Sequence, residues 1–376
     1  MKRYSLLIIS ISCLIIYIIF NSTTGTFPLE KIDIYSGLSM DLDHSSTGNE
    51  YIVGASAYSF TKKDEVSYTI LEGIGKNIPE TRATRQTISS KTFLLGLQKV
   101  FILSEAFSIN GINPAIDILF SNQQMNDATW IIVSKGKAID MLKFKVEDAT
   151  TSADHISGMI ESSKGQNFMH SDFKLIDMYV RVDSEGRSLV LPYLEILNNK
   201  ITFANLAVFR KDKMVAKMPL EEAKYMNILR ENNVKGILTI QKDSQHYIST
   251  YGDMKRKVHS EKTNGKYKFN IDLEFTGTVI NNTLYNDFMK NSKTIEKYCH
   301  ELEVETEEKC NAFIYKMQNE YKTDCLELGR DAAAAFGRNP ETDWDNIVCN
   351  AEIIVNVKVK VNNLGRGQFL FKEKEK

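Results

Sequence analysis

Six histidines (His44, His155, His170, His246, His259, His300) and five cysteines (Cys13, Cys299, Cys310, Cys325, Cys349) are the side chains of this sequence best suited to hold a metal or attack a substrate. Their spacing serves neither purpose. No two histidines stand three or four residues apart, so no helix face presents a zinc pair, and no C-x-x-C unit offers a zinc site or a redox couple. Asp41-Leu42-Asp43-His44-Ser45 opens like a calcium loop, but Ser46 stands where the sharp turn needs glycine and Ile52 where a bidentate Glu closes the shell. A turn between strands is the better reading. Gly73-Ile74-Gly75 lacks the third glycine and the matching acid of a dinucleotide site and reads as a strand end. Phosphate-loop, H-E-x-x-H and G-x-S-x-G patterns are absent from the sequence. A serine triad is recognised in space, and nothing in the sequence nominates its members. No catalytic, cofactor or metal residue is assigned.

Four of the cysteines, Cys299, Cys310, Cys325 and Cys349, fall after residue 298 and read as buried thiols or as one or two disulfides. On one continuous helix Cys299 and Cys310 share a face but lie about 16 Å apart along the axis, too far to bridge. The 376 residues carry 47 Lys and Arg against 48 Asp and Glu, a formal charge of −1, so no global field draws the protein to nucleic acid or to an anionic membrane. With 43% hydrophobic and 25% charged residues the composition is that of a folded chain, long enough for two or three domains.

The elements that position these residues alternate in kind. Ile32–Leu42 and Tyr51–Phe60 read as strands flanking the turn Asp43–Glu50, with Val66–Ile74 as a third strand. Pro79–Leu95 is helical in composition. Val100–Leu103 and Trp130–Val133 are short apolar runs typical of buried strands, and the helical spacing of Ile116, Leu119 and Phe120 between them predicts a parallel pair with a crossover helix. Helices over 136–143, 153–164 and 171–180 precede a strand at Leu189–Leu197, which Pro192 marks as an edge strand or a strand start. Ile201–Arg210 turns at Lys211-Asp212 into Met214–Met218, and the main boundary falls near Asn198-Asn199. Tyr267–Phe275, preceded by the hairpin signal Asn264-Gly265, and Ala351–Val361 alternate apolar with polar, which predicts strands of an antiparallel sheet wet on one face. Between them Leu284, Phe288, Ile295, Leu302, Phe313, Ile314, Met317 and Tyr321 mark one stripe of a long helix over residues 284–323 lying across that sheet. Glu301, Glu303, Glu305, Glu307 and Glu308 on it read as a solvated face.

The extreme N-terminus is a membrane signal. Lys2 and Arg3 precede an uncharged run in which Leu6, Leu7, Ile8, Ile9, Ile11, Leu14, Ile15, Ile16, Ile18, Ile19 and Phe20 give roughly −3 to −7 kcal/mol for insertion. The paired cations stay in the cytoplasm and send the remaining chain outside. The run is either retained as an anchor, which its length favours, or cleaved at Ser22-Thr23-Thr24-Gly25. Cys13 is preceded by Ser10-Ile11-Ser12, a poor lipobox, and followed by seven apolar residues, so it reads as a helix residue rather than a lipidation site. The organisation is then residues 1–25 as signal or anchor, 26–199 as an N-terminal α/β region, 200–371 as a C-terminal α+β domain and 372–376 as a tail. The fold class is α+β, with two or three small mixed domains behind the membrane helix.

Several blocks, in order, resemble the Ger(x)C family, the C subunits of spore germinant receptors. Phe27-Pro28-Leu29-Glu30-Lys31-Ile32-Asp33 is similar to the family's opening. Lys99-Val100-Phe101-Ile102-Leu103-Ser104-Glu105, then Asn110-Gly111-Ile112 and Ala115-Ile116-Asp117, resemble its apolar strand, Glu and Gly-Ile segment. Leu191-Pro192 and Ala207-Val208-Phe209-Arg210-Lys211-Asp212-Lys213-Met214-Val215 resemble its Ala-Val-Phe strand and Lys-Asp turn, and Gln318, Asp324, Leu328-Gly329, Pro340, Trp344 and the valine strand closing at Gly365 follow its C-terminal order. The resemblance covers residues 27–366. It implies a non-enzymatic, α+β, mostly lipid-anchored subunit of the spore inner membrane that works with two membrane-embedded partners, the A and B subunits, in the response to nutrients. Where such a lipidated Cys would stand, this chain has Thr24-Gly25-Thr26, so the apolar helix takes the tether's place. The alternative is a membrane-tethered envelope enzyme or solute-binding protein, which a deep cleft with convergent polar groups would favour.

Overall fold

The structure, a computed structural model, describes residues 4, 10–18, 31–45, 48–60, 66–165, 167–169, 173–285, 288 and 291–363. Residues 10–18 form a helix, α1, exposed along its whole length. The body then follows as β1 (Ile32–Ser45), β2 (Gly48–Phe60), β3 (Val66–Gly75), α2 (Ile78–Ile88), β4 (Thr92–Leu94), β5 (Val100–Ser104), α3 (Glu105–Asn110), α4 (Asn113–Phe120), β6 (Trp130–Ser134), α5 (Ala138–Lys143), α6 (Ser152–Ser163) and α7 (Leu175–Asp183). Next come β7 (Val190–Leu197), β8 (Lys200–Arg210), β9 (Lys213–Pro219), α8 (Leu220–Arg230), β10 (Val234–Gln241), β11 (Tyr247–Thr263) and β12 (Lys266–Asn282). The chain closes with α9 (Ser292–Lys316), a π-helical turn Met317–Tyr321, α10 (Leu328–Phe336), α11 (Trp344–Cys349) and β13 (Glu352–Asn363).

Nine strands make the first sheet, in the order β3-β2-β1-β5-β6-β7-β8-β9 with β4 beside β1. β1, β5 and β6 run parallel, and the crossover between β5 and β6 is helical as the spacing predicts. Every residue of β5 and β6 is buried, because helices cover both faces. Phe101, Leu103, Ile131 and Val133 enter a core with Phe107, Ile112 and Leu119, while Val100, Ile102, Trp130 and Ile132 enter a second core with Met141, Leu142 and Ile156. That second core continues through α8 and α9 into the other sheet, so one apolar interior spans both halves of the body.

Several elements differ from the sequence pattern. Pro79–Leu95 divides: Asn77 caps α2 by accepting from the Glu80 N–H at 2.9 Å, but the helix stops at Ile88, where Ser89 turns extended and its hydroxyl donates to Asp33 at 2.7 Å. The chain then lays β4 beside β1. Pro192 lies in an interior strand, between β6 and β8. It is tolerated because the Phe209 N–H donates to Leu189 O, which leaves Pro192 opposite Leu206 in a non-hydrogen-bonded pair, and the ladder to β6 starts only at Tyr193. Asn198 and Asn199, both at positive φ, form the tight turn joining β7 to β8 inside this sheet.

The second sheet has the order β10-β11-β12-β13. Its first three strands are antiparallel, but β13 runs parallel to β12, because the long excursion through α9, α10 and α11 returns the chain to the end where β12 began. Phe269, Ile271, Leu273 and Phe275 face the core, and the outer face is a lattice of cross-strand pairs such as Lys360–Glu274 at 2.7 Å and Asn356–Asp272 at 2.9 Å. The helical stripe begins at Ser292 rather than at 284. Asn282 accepts from the Leu284 and Tyr285 N–H groups and holds that stretch in a turn.

Candidate functional site

The acidic side chains of α9 are the first departure from a solvated face. Glu303 accepts from the Val359 N–H at 2.9 Å and Glu307 from the Val357 N–H at 2.8 Å, so they close the open edge of β13. Glu301 accepts from the Tyr285 hydroxyl, and burial pushes the Glu305 carboxyl up. The opposite edge is closed likewise: β10 receives the Lys224 ammonium at Ile237 O, 2.6 Å, and the Phe168 N–H at Lys235 O, 2.9 Å.

Asp41 and Asp43 do not share a cation. Asp41 is buried and accepts from the Ala138 and Ile139 N–H groups at the start of α5, 2.5 and 2.9 Å, and burial pushes its carboxyl up to about 6 against those hydrogen bonds. Asp43 pairs with Lys137 at 2.8 Å. Gly73 and Gly75 let α2 lie directly on β3: a Cβ on Gly73 would sit 2.0 Å from Thr81 O. His155 pairs with Asp148, His246 with Asp243, His259 with Asp272 and His300 with Glu303; the His44 side chain and His170 lie outside the described residues. Among the described residues no group of three His, Cys, Asp or Glu side chains converges as a metal site. Cys299, Cys310, Cys325 and Cys349 are free thiols, and burial pushes Cys310 and Cys349 up to about 12. Such thiols stay protonated and inert at neutral pH.

The densest polar assembly lies where the two halves meet. Glu327 is held at positive φ just before α10 and is 2% exposed. It accepts from Arg181 Nε at 3.0 Å, Arg230 Nη2 at 2.8 Å and Arg330 Nη1 at 3.2 Å, with Arg187 at 3.8 Å. Burial pushes the Glu327 carboxyl up, but the guanidinium groups, Arg230 first, outweigh it and hold it below the ordinary range. Arg230 also donates to Ser188 O at 3.0 Å and Cys325 O at 3.2 Å. Asp324 caps α10 by accepting from the Leu326, Leu328 and Gly329 N–H groups; full burial nevertheless pushes its carboxyl up to about 7. The loop before β7 completes the seam. Gly186 O accepts from the Arg330 N–H at 3.0 Å, Ser188 Oγ donates to Asp324 O at 2.7 Å, and Glu185 accepts from Trp344 Nε1 at 2.7 Å.

This junction is a rivet rather than a reaction centre. Its carboxylates are occupied by guanidinium and backbone donors, and the adjoining cavity, lined by Phe173, Arg181, Val190, Met226, Asn227, Arg230 and Glu231, measures about 10 Å³, room for one water. The residues that carry the family resemblance gather at such seams. Ile112 N–H donates to Asp212 O at 2.9 Å, joining the Gly-Ile segment to the Lys-Asp turn. Asp324, Leu328, Gly329 and Trp344 belong to the rivet, where a Cβ on Gly329 would fall 2.7 Å from that of Trp344, and Gln318 ties the π-helical turn to Val348 O and Ala351 O. Arg181, Arg187 and Arg230 carried no sequence signal, because their partner Glu327 lies 146 residues from Arg181 and 97 from Arg230.

Of the anchor residues, Ile11, Leu14, Ile15, Ile16 and Ile18 project from α1, between 49 and 60% exposed, with Cys13 exposed among them. Leu6, Leu7, Ile8, Ile9, Ile19 and Phe20 lie outside the described residues. Among the described residues no helix is long and apolar enough to cross a membrane.

A two-sheet α+β body with both edges of its second sheet closed and a polar seam between its halves is thus the class the geometry defines. Family models match nearly all of it: "Spore germination protein N-terminal domain" over residues 26–196 and "Spore germination B3/ GerAC like, C-terminal" over residues 204–365. The chain is 21% identical over 299 residues to the spore germination protein GerQC of Bacillus cereus, covering 79% of this chain and 82% of that one. It is 23% identical over 230 residues to the putative spore germination protein YfkR of Bacillus subtilis (strain 168), covering 55% and 56%. The crystal structure of the GerBC protein matches its fold with a TM-score of 0.57 at 14% identity, covering 89% of this chain and 100% of that one. The chain belongs to the Ger(x)C family of spore germination proteins.

Proposed function

We infer that this chain is the non-enzymatic C subunit of a spore germinant receptor, held on the outer face of the spore inner membrane by its N-terminal apolar run and docked on the receptor's A and B membrane subunits. The observation that carries this reading is the pair of family matches spanning the body. The exposed, apolar α1 supports the tether, since such a helix has no use for water on every side. A tether also raises the effective concentration of a docking body near membrane-embedded partners. The inert thiols and the one-water cavity beside the rivet favour a body that works through its surface over one that transforms or stores a nutrient.

The test is affinity capture of the C-terminally tagged full chain from detergent-solubilised spore membranes, followed by mass spectrometry. Multi-spanning receptor subunits are expected in the eluate, and deletion of the chain is expected to abolish the response of that receptor to its nutrient. Recovery of the chain alone from spores that germinate normally without it would overturn the reading.

A further inference from the structure

The register of the first sheet fixes which end faces the tether. β1 rises from Ile32, β2 descends to Phe60, β3 rises from Val66, and α2 descends to Ile88 before β4 rises from Thr92. Phe60 pairs with Val66 and Ile32 with Thr92, so these strand ends form one row about 14 Å across at about 4.8 Å per strand. α4 descends to the same end at Phe120, and α7 starts from it, with the Ile176 N–H on Asp127 O. Residue 31 enters the body there. Ten residues, 21–30, separate it from the apolar run, at most about 35 Å when fully extended.

That end is unusually apolar for a solvated surface. Val66, Ile88, Leu94, Leu97, Phe120 and Ile176 are between 39 and 72% exposed. Lys31, Lys91 and Lys174 stand among them, Lys91 near Asp33 at 3.8 Å and Lys174 over the Trp130 ring at 5.3 Å. Asp33, Asp127 and Asp177 are carboxylates nearby, the first answered by Lys91 and Ser89 and the last by the Lys174 N–H at 3.0 Å and Arg181 at 3.8 Å. The opposite end also exposes aliphatic side chains, Ile74, Ile109, Ile196 and Leu197; where the chain enters is what separates the two.

We propose that the Val66–Leu94–Leu97–Phe120 end of the first sheet rests on the bilayer, its apolar side chains entering the interfacial layer and its lysines facing anionic lipid headgroups. This rests on the anchor reading above. The occupant is lipid because the tether holds this end closest to the membrane, and because aliphatic side chains mixed with lysine match an anionic interface better than they match water. The body is then seated in one orientation, with the opposite end turned away from the bilayer.

The test uses the full chain reconstituted in phosphatidylglycerol and phosphatidylcholine vesicles, with a benzophenone amino acid at position 97 or 120 and, as control, at position 135, about 30 Å up the sheet at about 3.3 Å per residue. Lipid adducts are expected about ten-fold more often at 97 and 120 than at 135, falling in high salt as the lysine contribution is screened. Equal, low yields at all three positions, with the chain still pelleting with vesicles after an alkaline wash, would overturn the seated orientation and leave the anchor standing. Failure to pellet would overturn the anchor and the proposal together. Adducts to a second copy of the chain, or to protein in native spore membranes, would mark this end as a protein dock instead.

Discussion

Two regions of this protein reverse the usual placement of polar and apolar groups, and they do so for opposite reasons. At the rivet, charged side chains are buried, and each is matched: Glu327 takes three guanidinium donors and Asp324 three backbone N–H groups. At the tether end, aliphatic side chains are exposed, and the described body offers them no cover. Buried charge matched as at Glu327 and Asp324 holds two halves in register, whereas exposed apolar surface without cover calls for something outside the chain.

The contrast is sharpest at Glu327. Glu327→Gln removes the carboxylate that Arg181 and Arg230 share, leaving Arg230 with Glu231 at 3.0 Å and Arg181 with Asp177 at 3.8 Å, and is expected to cost about 3 kcal/mol in chemical denaturation. A cost no larger than that of a surface change would break the comparison. Gly186→Ala probes the same seam without touching charge. Gly186 is at positive φ, and a Cβ there would lie 2.3 Å from Arg330 N, so a loss of about 2 kcal/mol is expected in the same assay.

The pH dependence has two limbs of opposite sign. Asp324, pushed up to about 7 by burial, and Asp41, pushed up to about 6, bind protons in the folded state that the unfolded chain has released. Their contribution is in place below the ordinary Asp range and is lost as pH rises through 6 to 7. Glu327, held low by its arginines, contributes above the ordinary Glu range and loses that contribution on acidification. Unfolding free energies from urea titrations are therefore expected to rise by about 4 kcal/mol from about pH 8 to about pH 5 and to fall below about pH 4, with Asp324→Asn flattening the upper limb. A monotonic profile would show that the junction does not govern stability. At the tether end, Leu97→Ser is expected to change stability by no more than about 0.5 kcal/mol, while reducing lipid adducts at position 120.

The architecture was legible where one face of an element meets water or where both faces meet the core. The alternation at Tyr267–Phe275 and Ala351–Val361 gave β12 and β13, and the all-apolar runs gave β5 and β6. β11 was hidden because Lys255-Arg256-Lys257 breaks the alternation; there the Arg256 guanidinium turns to Leu326 O and Asp331. The parallel setting of β13 depends on where a long excursion returns, which strand periodicity does not encode. The rivet was illegible because its members are single polar residues scattered across the chain, drawn together only by the tertiary fold. Its outline was visible indirectly, since Asp324, Leu328, Gly329 and Trp344 are the residues that carry the family resemblance.

The position of β1 has a mechanical consequence. On the anchor reading proposed above, the first described strand after the apolar run is a fourteen-residue strand in the interior of the first sheet, flanked by β2 on one side and by β4 and β5 on the other. A pull on the N-terminal side of β1 along that strand's axis would load its lateral hydrogen bonds in shear, all together, rather than peeling an edge strand away one bond at a time. A load applied through such a tether would thus meet a strand paired on both sides rather than a free edge.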